Sequence, residues 1–261
     1  MKSKGLYIAA TVAALGLAAA CGGGGGDTEK KAEGGPAAPA NVTKVDPATA
    51  ATVTGKVSFA GTAPKPINLS MAAEPDCSKM HSTPVKSEEV VINSNGTLAN
   101  VFVYVKSGLE GKTFEPPTGS TELDQKGCIY TPHVVGVRTG QTVSIKNTDP
   151  TTHNVHPLPT VNREWNQSQP PNGPPLDRAF ARPEIMIPVK CNVHPWMRSY
   201  IGVVDHPFFA VTGDQGTFDL KGLPPGDYVI EAWHEKYGTQ EQKVTLAASG
   251  SQAVEFAFKA Q

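Results

Sequence analysis

From Val53 onward, short runs rich in β-branched and aromatic residues alternate with Gly, Pro, Asn and Asp. The clearest runs are Val53 to Phe59, Val101 to Val105, Val134 to Val137, Thr142 to Lys146, Ile185 to Val189, Tyr200 to Val204, Thr217 to Leu220, Tyr228 to Ala232, Gln242 to Leu246 and Ala253 to Phe258. Thr217-Phe218-Asp219-Leu220 and Val254-Glu255-Phe256-Ala257-Phe258 alternate apolar with polar or small residues, the period of a half-buried strand. Val101-Phe102-Val103-Tyr104-Val105 is apolar throughout, which suits a central strand. No stretch carries the 3.6-residue period of a long amphipathic helix. The pattern predicts an all-β chain with sandwich-type punctuation.

The first fifty residues have a different texture. Lys2 and Lys4 precede an uncharged apolar run from Leu6 to Ala20, too short to span a bilayer comfortably and ending in small residues. This predicts an export signal over residues 1–20. Ala18-Ala19-Ala20-Cys21 resembles a bacterial lipobox, although the Leu usual three positions before the Cys is here Ala18, with Leu17 one place early. The resemblance implies a lipid on Cys21; plain signal cleavage near Ala20 is the alternative. A pure glycine tract, Gly22 to Gly26, and a Lys-, Glu-, Ala- and Pro-rich stretch follow. Residues 21–50 cannot bury enough surface to offset their ordering entropy, so they read as a tether. As a flexible coil it would reach about 30 Å.

The whole chain has 261 residues and formal charge −1; losing Lys2 and Lys4 with the signal makes that −3. There is no basic stripe, so nucleic acid is not an expected partner. The chain is long enough for two cores.

Thr212-Gly213-Asp214-Gln215-Gly216-Thr217-Phe218-Asp219-Leu220 followed by Gly222-Leu223-Pro224-Pro225-Gly226-Asp227-Tyr228 reads as turn, strand, Pro-Gly turn and strand. This resembles the carboxypeptidase regulatory-like, transthyretin-type sandwich. That family commonly opens with a Gly-x-Val strand, and Gly55-Lys56-Val57-Ser58-Phe59 fits. The resemblance implies one such sandwich from residues 51–112 plus 206–261, with 113–205 inserted; sequential domains are the alternative.

The chemistry concentrates in Cys191-Asn192-Val193-His194-Pro195-Trp196-Met197, with His153 upstream. One thiolate, two imidazoles and one thioether suit an ion cycling between two copper oxidation states. Pro195 biases His194 toward an extended conformation and stiffens the loop. A lone Cys or Met is usually core, but the combination at this spacing is not ordinary. Structural zinc sites favour several Cys over Met. Attached haem needs Cys-x-x-Cys-His, which is absent. A Cys–His hydrolase would explain neither Met197 nor the β texture.

Residues 120–205 resemble the cupredoxin family. Val137 to Asn147 matches its strand–Gly turn–strand entry, Thr152-His153-Asn154-Val155 its first ligand segment, and Tyr200 to Val204 its closing strand. The resemblance implies a Greek-key sandwich holding one mononuclear copper through His153, Cys191, His194 and axial Met197. It implies a non-enzymatic one-electron carrier whose partner is a redox protein such as a cytochrome c or a membrane oxidoreductase. Only Pro195 and Trp196 separate His194 from Met197, fewer than in plastocyanin-like loops. The spacing is closer to the binuclear copper loop of cytochrome oxidase, which has two Cys where this loop has one.

Cys77 and Cys128 remain, and in an exported protein they are expected to form a disulfide. A second metal site with His81 and His133 is the alternative. His156, three residues after His153, faces the other side of a strand and is expected at the surface or behind the ligands. His206 and His234 have no expected chemical role. The Pro-rich stretch from Pro157 to Pro183 reads as a long loop that shields the copper. The function expected is an electron carrier in the cell envelope, lipid-anchored and facing the periplasm or exterior. Copper capture or delivery, or a structural or carbohydrate-binding lipoprotein, are the competing readings.

Wild type should fractionate with membranes, and Cys21→Ser should move to the soluble fraction. Equal solubility of the two would remove the lipid-anchor reading.

Overall fold

The computed structural model describes residues 41–260; the export signal, Cys21 and the linker expected over residues 1–40 lie outside the described residues. Two strands come first, β1 (Ala51–Ala60) and β2 (Phe102–Ser107), with a single helical turn, α1 (Pro75–Ser78), between them. Nine follow: β3 (Ser120–Gln125), β4 (Tyr130–Thr131), β5 (Val134–Arg138), β6 (Thr142–Asn147), β7 (His153–Pro157), β8 (Gln167–Gln169), β9 (Leu176–Arg178), β10 (Glu184–Lys190) and β11 (Arg198–Val204). The chain ends with β12 (Phe209–Val211), β13 (Thr217–Leu223), β14 (Gly226–His234), β15 (Gly238–Leu246) and β16 (Ser251–Lys259). The fold is all-β, as the runs predict.

Sheets β13-β1-β16 and β12-β2-β14-β15 enclose one core, so the strands before residue 108 and after residue 208 build a single sandwich. Its alternating strands behave as their period dictates. Phe218 and Leu220 of β13, and Val254, Phe256 and Phe258 of β16, point inward while their neighbours face solvent. Strand β1 lies between β13, antiparallel, and β16, parallel. Sheets β5-β11-β10-β7-β8 and β4-β3-β6-β9 enclose a second core in the middle of the chain.

The run from Val101 to Val105, which enters β2, is apolar throughout because both its faces are buried. Val101, Val103 and Val105 point into the first core. Phe102 and Tyr104 point the other way, against Val134, Met186 and Val204 of the middle sandwich. Two glycines make that approach possible. Gly136 and Gly202 are partners across β5 and β11. A Cβ on Gly136 would lie 2.5 Å from the Phe209 ring and 2.8 Å from that of Phe102. One on Gly202 would lie 2.3 Å from the Met186 methyl and 2.8 Å from the Phe102 ring. The glycines let aromatic rings of one sandwich come close against the sheet of the other.

A polar contact closes the same interface. The buried His133 ring bonds the half-buried Glu235 carboxylate across the junction at 3.0 Å. Burial disfavours the charged imidazole, but Glu235 and Glu88 outweigh it and hold the His133 pKa above its ordinary value.

The stretch from Pro157 to Pro183, expected as a loop, contains β8 and β9, which pair with β7 and β6 and so close an edge of each middle sheet. Its organiser is polar and escapes an apolar-pattern reading. The buried Gln169 side chain donates to the Ile145 and Pro174 carbonyls, both at 3.0 Å, and accepts from Gln125 at 2.7 Å.

Gly136→Ala and Gly202→Ala should each cost about 1–3 kcal/mol by overpacking the junction. Gly213→Ala, where a Cβ meets nothing within 4 Å, should stay within about 0.5 kcal/mol of wild type. Urea unfolding midpoints check this; equal midpoints for all three would show that the junction yields without cost.

Candidate metal centre

His153 opens β7, and Cys191 follows directly on β10, with the Cys191–Met197 loop leading into β11. His153, Cys191, His194 and Met197 are all 0–2% exposed. The two histidines meet through their Nδ1 atoms at 2.9 Å, and Cys191 Sγ lies 3.8 Å from His194 Nδ1. Met197 is buried in the same cluster as Cys191.

The loop is fixed by its own backbone. Cys191 N donates to the Met197 carbonyl at 3.3 Å and Met197 N to the His194 carbonyl at 2.9 Å. His194 N donates to Cys191 Sγ at 3.4 Å. Asn154, next to His153, accepts from Asn192 N through Oδ1 at 2.7 Å, so the segments carrying His153 and Cys191 are tied together. The Trp196 indole N–H donates to the Cys128 carbonyl at 2.9 Å, and its ring lies 5.2 Å from that of His194.

Asp149, at the turn between β6 and β7, sets the His153 tautomer. Its Oδ2 accepts from His153 Nε2 at 2.8 Å and from Cys128 N at 2.7 Å, and its Oδ1 accepts from Gly127 N at 2.6 Å. A carboxylate that accepts requires the proton on Nε2, so neutral His153 presents a bare lone pair from Nδ1. Burial opposes the Asp149 charge, but His153 and the two backbone N–H groups hold its pKa below the usual value. Burial likewise opposes a charged His153, yet Asp149 and Cys191 raise it. The Cys191 thiol is pushed up by burial and pulled further down by His153 and by backbone N–H groups of the loop, ending below its usual range. His194 has no carboxylate partner; burial, then the facing His153, lowers it.

Cys77 in α1 and Cys128 are joined by a disulfide, leaving Cys191 as the free cysteine among the described residues. The pair sits against the site, within 4.8 Å of a His194 ring nitrogen. His81 bonds the Gly127 carbonyl at 2.7 Å and His133 pairs with Glu235, so neither approaches the disulfide as a ligand group. His156 is turned away from the cluster, with its ring nitrogens on Glu164 at 2.6 Å and Asn192 at 3.2 Å. His206 bonds the Val105 carbonyl at 2.9 Å, and His234 Nδ1 accepts from Lys236 N at 3.1 Å. Trp165, from the Pro-rich stretch, packs on the middle core beneath Arg178.

Residues 203–259 match the family Carboxypeptidase regulatory-like domain. No curated protein matches the chain. Among solved structures it is similar to an amicyanin mutant in the Cu(I) form, at 20% identity over 39% of this chain and 97% of that one, with a TM-score of 0.29. A purple cupredoxin from Nitrosopumilus maritimus aligns at 19% identity over 32% of this chain and 99% of that one, TM-score 0.27. A copper-containing nitrite reductase from Thermus scotoductus aligns at 19% identity over 40% of this chain and 25% of that one, TM-score 0.30.

The donor atoms can hold one metal ion. Bonds of about 2.0 Å to nitrogen and about 2.3 Å to sulfur span the separations seen among the two Nδ1 atoms and Sγ. Asp149 was not singled out from the sequence; the Asp149-x-x-x-His153 spacing was the available signal.

Asp149→Ala should free the His153 ring and lower metal affinity about 10–100-fold, measured by chelator competition. A change below about twofold would show that the remaining contacts of His153 suffice to orient it.

Proposed function

We propose that the middle sandwich holds one copper ion through His153, Cys191, His194 and Met197, and that the protein is a one-electron carrier of the cell envelope. The observation that carries this reading is the buried convergence of two imidazole Nδ1 atoms and one thiol sulfur, with Met197 enclosed beside them. A nitrogen–sulfur set with a thioether suits both copper oxidation states, whereas structural zinc favours further Cys.

When bound, copper supplies a one-electron couple. The chain's own part is to hold the donors in place and keep water out. Asp149 fixes the His153 ring, the loop's backbone bonds fix Cys191 and His194, and the surrounding core excludes solvent. A site that moves little between states costs little reorganisation, which favours fast exchange. Burial of every donor supports retention of the metal over its delivery to another protein.

The sequential position of β3–β11 between β2 and β12 supports a two-domain reading in which 113–205 is inserted into the sandwich of 51–112 plus 206–261. Lipid attachment at Cys21 and a cytochrome c or membrane oxidoreductase as redox partner complete the reading.

Copper-loaded, oxidised protein should show an intense visible thiolate charge-transfer band. Cys191→Ser should lose it. Met197→Leu should keep colour and raise the reduction potential, because losing a thioether donor would disfavour the oxidised ion. His153→Gly should bleach the protein until free imidazole is added, while His156→Gly should leave the spectrum nearly unchanged. A colourless wild type that prefers zinc would overturn the assignment.

A further inference from the structure

His194 is 2% exposed, so its ring does not form an open edge. The Cys77–Cys128 disulfide lies on one side of it and Trp196 on another. Trp196 is half-buried, and with Pro195 it lines a groove of about 430 Å³ at the junction of the two sandwiches. A second groove, about 620 Å³, runs along the β10–β11 hairpin and reaches Cys191. Pro195 and Arg198 line both grooves, so the Pro195–Trp196 turn forms a ridge between them.

The second groove carries cations without a carboxylate, while the first carries both signs. Lys86 lines the first groove, Lys190 the second, and Arg198 both; all three are exposed. None of them takes part in an ion pair among the described residues. Of the other carboxylates, Glu89 is paired with Lys236, while Glu235 and Glu164 accept from the His133 and His156 rings. Glu88 lines the first groove with no ion-pair partner among the described residues, and burial pushes its pKa up. No carboxylate lines the second groove. The whole chain carries −1, so this cationic ridge is a local feature against the sign of the molecule.

We propose that the Pro195–Trp196 ridge, flanked by Lys86, Lys190 and Arg198, is the electron-exchange surface, and that it docks a redox partner through an acidic patch with Trp196 as the contact to His194. The proposal rests on the copper reading of the site. Opposite charges steer encounter and fix orientation. Trp196 supplies an aromatic face 5.2 Å from the ligand ring, held by its bond to Cys128. The disulfide-clamped α1, which carries Asp76 beside Cys77, would disfavour approach of the same partner from that side.

Two probes of opposite charge test this. Reduced, copper-loaded protein is mixed with hexacyanoferrate(III) or with tris(phenanthroline)cobalt(III) at rising ionic strength. The anionic probe should react faster as salt falls, and the cationic one should not, because added salt screens the ridge. Lys86→Gln/Lys190→Gln/Arg198→Gln should slow the anionic reaction about 10-fold at low salt with an unchanged visible spectrum. Trp196→Leu should slow both probes, and Trp196→Phe should restore part of the loss. A salt dependence of the opposite sign, or unaltered rates in the triple variant or in Trp196→Leu, would overturn the proposal. Metal-free protein titrated with redox-inert hexacyanocobaltate(III) gives a separate readout by NMR. Shifts should centre on Lys86, Lys190 and Arg198; shifts elsewhere would refute the surface. Shifts at the ridge in a protein that forms no copper band would retain the anion-binding surface and reject only the copper reading.

Discussion

One buried carboxylate organises the site. Asp149 accepts hydrogen bonds from Gly127 N, Cys128 N and His153 Nε2. A lone charge in that position would be strongly unfavourable, and three donors make it tolerable. Those donors come from two segments, the turn that carries the disulfide and the start of β7. The carboxylate therefore ties the clamp around α1 to the ring orientation of His153. Its chemical consequence is a tautomer: with Nε2 protonated, the lone pair on Nδ1 is the one left to face His194 and Cys191.

The rest of the middle sandwich keeps that arrangement still. Asn147 Nδ2 donates to the Thr151, Gln169 and Pro170 carbonyls, and its Oδ1 accepts from Asp149 N, so the turn bearing Asp149 is itself held. Asn154 ties the upstream segment to the Cys191 loop. These are buried polar groups with nearly all partners satisfied, and such networks specify one geometry where apolar packing alone tolerates several.

The second sandwich contributes at the junction. Phe102 and Tyr104 of β2 pack on the middle sandwich while Val103 and Val105 face their own core. Because β2 belongs to both interiors, the sandwiches share packing that a flexible linker would not provide. The segment between β1 and β2, through Cys77, also reaches the candidate metal centre, so chain outside β3–β11 helps to close it.

The apolar alternation of Phe218, Leu220, Val254, Phe256 and Phe258, and the double-sided run at Val101 to Val105, made the larger strands legible, since side-chain period follows directly from the pleat. The spacing from Cys191 to Met197 made most of the candidate site legible as well, because one short loop carries three of its donors. The polar strands β3, β8 and β9 were not legible: Gln125 and Gln169 are buried by hydrogen bonds, and a hydropathy pattern is blind to those. Nor was the role of Asp149, whose partners Gly127 and Cys128 lie more than twenty positions away. The sequence by itself determined which donors were available and that they lay among β-strands. Tertiary structure decided which nitrogen of His153 faces the cluster, what covers His194, and that Gly136 and Gly202 receive aromatic rings from the other sandwich. Each of these depends on contacts between residues far apart in the chain, where local propensity carries no information.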